Sequence, residues 1–68
     1  MKNEILKILN ENPKGMRQRE IAGMLGIWLC DKEFLNSISE LKTSGEIYFI
    51  NHIDFANAEF YNIWFRSE

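Results

Sequence analysis

The chain has 68 residues, 46% of them hydrophobic and 13% aromatic, with one Pro and four Gly. That length holds one domain at most, and that composition is too apolar for a disordered segment. A formal net charge of −2 runs against a generic nucleic-acid binder, and a single Cys excludes both an internal disulfide framework and a Cys-rich zinc site.

Ile5, Leu6, Ile8 and Leu9 fall on one helical stripe and predict a first helix over residues 2–12. The run Asn12-Pro13-Lys14-Gly15 ends it and turns the chain. Ile21, Ala22, Met24 and Leu25 repeat the stripe over 17–25, and Gly26 stands where a helix is capped at its C-terminus. An apolar connector follows, Ile27-Trp28-Leu29-Cys30. Asp31 caps a third helix running to residue 44, with Phe34, Leu35, Ile38 and Leu41 facing inward and Gly45 at its end. The period then changes. Glu46-Ile47-Tyr48-Phe49-Ile50 reads as a strand, residues 51–58 as a polar-punctuated loop, and 59–65 as a second strand. The expected fold is α+β, three helices and a C-terminal two-stranded β-hairpin, in one domain over 1–68. A lone hairpin is marginal in water, so this one is expected to lay an apolar face on the helices.

Two segments resemble the winged helix-turn-helix superfamily. Arg19-Glu20-Ile21-Ala22-Gly23-Met24-Leu25-Gly26-Ile27 is similar to its supporting helix and turn. Phe34 through Ile47, with Leu41, Gly45 and Ile47 at the telling spacing, is similar to its recognition helix entering the first wing strand. The resemblance implies a three-helix winged helix-turn-helix that sets helix 31–44 in the major groove and the hairpin on flanking DNA. Arg17 stands where the family often has Ser or Thr, and the hairpin holds no Lys or Arg.

Charge is uneven. Residues 1–44 carry seven bases and six acids; residues 45–68 carry one base and four acids. A phosphate-facing surface is therefore expected in the first two-thirds. Lys14, Arg17 and Arg19 surround the start of the second helix, where backbone N–H groups already favour an anion; they read as a phosphate clamp or as a solvated turn. On the third helix, Lys32, Asn36, Glu40 and Thr43 fall opposite the apolar side, with Glu33 and Ser39 beside them and Ser37 at the margin. Asn36 suits an adenine edge and Lys32 guanine or phosphate, while the alternative is an ordinary solvated face.

The aromatic residues suggest a second kind of surface. Trp28 is either a peg into the core or an exposed contact for a partner. Strand 59–65 is apolar on both faces, and Phe60 and Trp64 on one of them are expected to form an interface, in a homodimer or with another protein. His52 is expected to be a solvated loop residue, and the apolar neighbours of Cys30 point to an inert buried thiol. No triad spacing and no glycine-rich phosphate loop occur, so neither an enzyme nor a cofactor or metal is expected. No apolar run approaches the roughly 20 residues that span a bilayer, the charged start reads as a mature helix, and a lone Cys suits a reducing cytoplasm.

Two functions follow. One is a small DNA-binding transcriptional regulator, dimeric through strand 59–65 and holding double-stranded DNA by helix 31–44 with Lys14, Arg17, Arg19, Lys32, Asn36, Ser37 and Thr43. The other is a protein-interaction module on the same fold, an adaptor or an inhibitor such as one of a mobile element, with no DNA binding.

Overall fold

The computed structural model describes residues 1–67. The elements follow in the order α1 (Lys2–Glu11), β1 (Met16–Arg17), α2 (Gln18–Leu25), α3 (Lys32–Thr43), β2 (Ile47–Asp54) and β3 (Glu59–Arg66). The three helices and the antiparallel sheet make a small α+β domain, with strand order β1-β3-β2.

Local chemistry accounts for the helix ends. At the start of α2, Arg17 has no acceptor in its side chain, so Glu20 caps instead: its Oε1 accepts the Arg17 backbone N–H at 3.1 Å. Gly26 takes φ +70°, and the N–H groups of Gly26 and Ile27 reach the carbonyls of Gly23 and Ala22 at 3.1 Å. At α3, Asp31 Oδ1 accepts the Phe34 N–H at 3.0 Å, as the sequence predicts.

The apolar stripes meet in one core. Ile5 and Leu9 of α1, Ile21 and Ala22 of α2, and Phe34, Ile38 and Leu41 of α3 are buried with Met16, Ile47 and Trp64 of the sheet. Three expectations are corrected. Leu35 lies outside the core, because Phe34 occupies the inward position one residue earlier and a helix turns about 100° per residue. Ser37 is buried at 6% exposure, since its position shares the flank of Phe34 and Leu41. Trp64 is buried at 4%, with its ring 5.1 Å from that of Phe49, and presents no interface.

The sheet is larger than the predicted hairpin. Met16 and Arg17 pair with Trp64 and Ile63, so the strand expected to dimerise is the central one. β2 continues through the expected loop to Asp54, in unbroken register from Ile47↔Arg66 to Asp54↔Glu59. Cross-strand partners hold its polar stretch. Asn51 Nδ2 donates to Asn62 Oδ1 at 3.2 Å, and the His52 and Tyr61 rings lie 4.9 Å apart. One face of the sheet meets the helices through Ile47, Phe49 and Trp64. The other carries the pairs Tyr48/Phe65, Ile50/Ile63 and His52/Tyr61. Among the described residues, no helix is long and apolar enough to cross a membrane.

Asp54 closes the hairpin. Its Oδ2 accepts from Asn57 Nδ2 at 2.9 Å, and its Oδ1 accepts the N–H groups of Ala56 and Asn57 at 3.1 and 3.4 Å. These bonds, the Asn57 amide first, hold the Asp54 carboxyl below its ordinary value. A lowered folded pKa means support for the loop that is complete above the ordinary carboxylate range and lost as pH falls through the folded value. An NMR titration is expected to place the Asp54 midpoint below that of an unfolded peptide, with the Ala56 and Asn57 amides shifting in step. A midpoint at the ordinary value would remove the cap.

Candidate functional site

The outward side of α3 is set by its core side. With Phe34, Ile38 and Leu41 inward, Lys32, Asn36, Ser39 and Thr43 project the other way and are exposed. Two acids border this stripe. Glu40 pairs with Lys2 of α1, and Glu33, two helical turns earlier, lies on the same flank. On the opposite flank Lys42 Nζ stands 4.5 Å over the Phe49 ring. The result is an exposed polar ridge that begins at Lys32, with Glu33 and Glu40 along one flank and Glu40 paired to α1.

Of the three bases near α2, Arg17 and Arg19 line one groove. Lys14 is exposed in the turn after α1, and Arg19 is exposed in the first turn of α2. Arg17 projects from β1 onto the helix-free face of the sheet, where its guanidinium carbon lies 3.9 Å from the Tyr61 ring centroid. That stack keeps the charge but fixes its direction. Arg17 and Arg19 share the rim of an open groove with Gln18.

This groove joins residues that sequence spacing keeps apart. It has a volume of about 730 Å³ and is lined by Arg17, Gln18, Arg19, Trp28, Leu29, Cys30, Leu35, Phe60, Tyr61 and Asn62. Trp28 is 81% exposed, in a turn closed by Asp31 N–H on the Trp28 carbonyl at 3.0 Å. The alternative of Trp28 as a peg into the core is therefore corrected. Cys30 is exposed beside it, contrary to the buried thiol expected, because the connector runs over the surface and not into the core. Phe60 is exposed as expected, on the helix-facing side of β3 at the edge of this groove. Sequence reasoning missed Leu35, Gln18, Tyr61 and Asn62 as groove residues. For Leu35 the signal was present: it is one of two adjacent apolar residues on a helix that can bury only one of them fully.

Among the described residues, no group of three or more His, Cys, Asp or Glu could hold a metal ion. No family model matches the chain, and no curated protein matches it.

Proposed function

We propose that the chain is a winged helix-turn-helix protein that binds double-stranded DNA and regulates transcription by occupying its site. The element order supports this reading, with Gly26 ending α2 before the turn into α3 and a hairpin following α3. The observation that carries it is the exposed polar face of α3, where Lys32, Asn36, Ser39 and Thr43 point outward and Glu40 is paired with Lys2. Lys32 to Thr43 spans about 16 Å at 1.5 Å per residue, a length that lies well in a major groove about 12 Å wide. Asn36 would read an adenine edge and Lys32 guanine or phosphate. Lys14 and Arg19 would take phosphates beside the N-terminus of α2. Ser37 is withdrawn from this set by its burial.

Selection from a random double-stranded library at about 50 mM salt tests the reading, since phosphate contacts make binding salt-dependent. A motif is expected that is lost as salt rises. Lys14→Ala with Arg19→Ala should weaken binding to all sequences and flatten the salt slope by about 2, whereas Asn36→Ala should cost about 1–3 kcal/mol at one base pair. No retention at that salt, or binding indifferent to all three changes, overturns it.

One observation favours a second reading, a protein-interaction module acting as adaptor or inhibitor. The groove brings Trp28, Leu29, Leu35 and Phe60 together with Arg17 and Arg19. That suits an amphipathic segment with acidic flanks, because exposed Trp and Arg dominate binding energy at protein interfaces. Loss of a partner on Trp28→Ala, with no salt-sensitive DNA retention by the parent protein, would decide for it.

A further inference from the structure

We propose that the free edge of β2 pairs with β2 of a second copy, about a two-fold axis at Asn51, giving a six-stranded sheet. Among the described residues β2 has one strand neighbour, β3, so its other edge presents backbone N–H and C=O groups with no strand partner along eight residues. Such edges are ordinarily blunted by Pro, Lys, a bulge or a covering element. β2 has no Pro, Lys or Arg, its register is unbroken, and its one carboxylate, Asp54, stands at its end.

The hairpin also leaves large apolar side chains in water. Ile53 and Phe60 lie on the helix-facing side of the sheet yet are 44% and 72% exposed, and Phe55 at the tip is 89% exposed. With Tyr48 and Ile50 they leave on the order of 600 Å² of side-chain surface in water, taking a whole aromatic side chain as roughly 150–250 Å². A standard interface buries roughly 800 Å² per partner.

The register follows from symmetry and charge. A two-fold axis normal to the sheet keeps helix-facing residues opposite helix-facing residues, so the axis passes through a residue. At Ile50 it sets Asp54 against Glu46 of the second copy, and directly opposed like charges are unfavourable. At Phe49 or His52 it shortens the ladder to 47–51 or 50–54. At Asn51 the ladder runs over 48–54 with no like-charged pair. Phe49 then meets Ile53 of the second copy on the helix-facing side, and Tyr48 meets Asp54 on the other. Because the antiparallel pairing sets Ile53 opposite Phe49 of the second copy, Ile53 gains an apolar neighbour beside its own partner Phe60. The pairing is closed, since it uses both β2 edges once.

Sedimentation equilibrium tests this on the full chain. The protein is expected to be a dimer at tens of micromolar. Asn51→Lys, which opposes two ammonium groups at the axis, should weaken the dimer at least tenfold with an unchanged circular dichroism spectrum. The register is read separately by disulfide trapping in the Cys30→Ser background, which removes the exposed native thiol. Asn51→Cys should cross-link to its own copy under mild oxidation, because directly opposed strand residues bring their Cα atoms within disulfide reach, whereas Ile50→Cys should not. A monomer at every concentration overturns the proposal, as does a dimer that tolerates Asn51→Lys or cross-links at Ile50→Cys in place of Asn51→Cys.

Discussion

Gly15→Ala is expected to destabilise the protein by about 2–4 kcal/mol, combining the strain of a left-handed backbone with overpacking of a filled site. Gly15 has φ +90°, which a side chain disfavours. A Cβ there would also lie 2.4 Å from Ile63 Cγ2 and 2.6 and 2.7 Å from Phe65 Cε1 and Cζ. Neither neighbour can yield cheaply. Ile63 is β-branched, so its Cγ2 is fixed close to the backbone. Phe65 is stacked on Tyr48 at 5.3 Å. Relief requires the turn to lift away from β3, which parts Met16 from Trp64 and opens the core. A core of this size supplies about 3–5 kcal/mol in all, so the variant should be largely unfolded near 37 °C. Gly26→Ala is the control. Gly26 has φ +70° but nothing within 4 Å of its Cβ position, so it should lose only about 1 kcal/mol of backbone preference. Equal losses in thermal melts would show that the close approach to β3 is not what matters at Gly15.

The order of elements was legible because its signals are local. The helical stripes, Asp31 as a cap, Gly26 as a stop and the change of period after Gly45 all act within a few residues. What was not legible depends on partners distant in sequence. Asn51, His52 and Asp54 look like a loop alone, and become strand only opposite Asn62, Tyr61 and Glu59. β1 is too short to announce itself, and its two residues are defined by Trp64 and Ile63. That pairing makes β3 the central strand, which is why Trp64 is buried and the open edge belongs to β2.

The candidate site divides along the same line. The outward positions of Lys32, Asn36 and Thr43 follow from helical geometry once the core side of α3 is known. The direction of Arg17 does not, because it is set by the Tyr61 ring on another strand. Nor does the meeting of Arg19, Trp28, Leu35 and Phe60 around one groove, which requires α2, the turn, α3 and β3 to be in place together. The pairing of Glu40 with Lys2 is likewise a tertiary result, since it joins α3 to α1.

Phe34→Ala is expected to cost about 3–5 kcal/mol and to unfold the domain, whereas Leu35→Ala should cost less than about 1 kcal/mol. The two residues are adjacent, apolar and on the same helix, so composition and propensity do not separate them. Burial does. Phe34 is 0% exposed, in contact with the shared core of all three helices, and its loss leaves a cavity that a small domain cannot refill. Leu35 is 41% exposed at the edge of the groove, and alanine there keeps the helix at least as favourable. Urea denaturation of the two variants checks the difference through the midpoint at constant slope. The same experiment bears on function, because helix rotation and recognition surface are one variable. If Leu35→Ala proved the costly change, α3 would be turned by about 100°. Lys32, Asn36 and Thr43 would then leave the outward stripe, and the proposed reading of a major groove by this helix would fail with them.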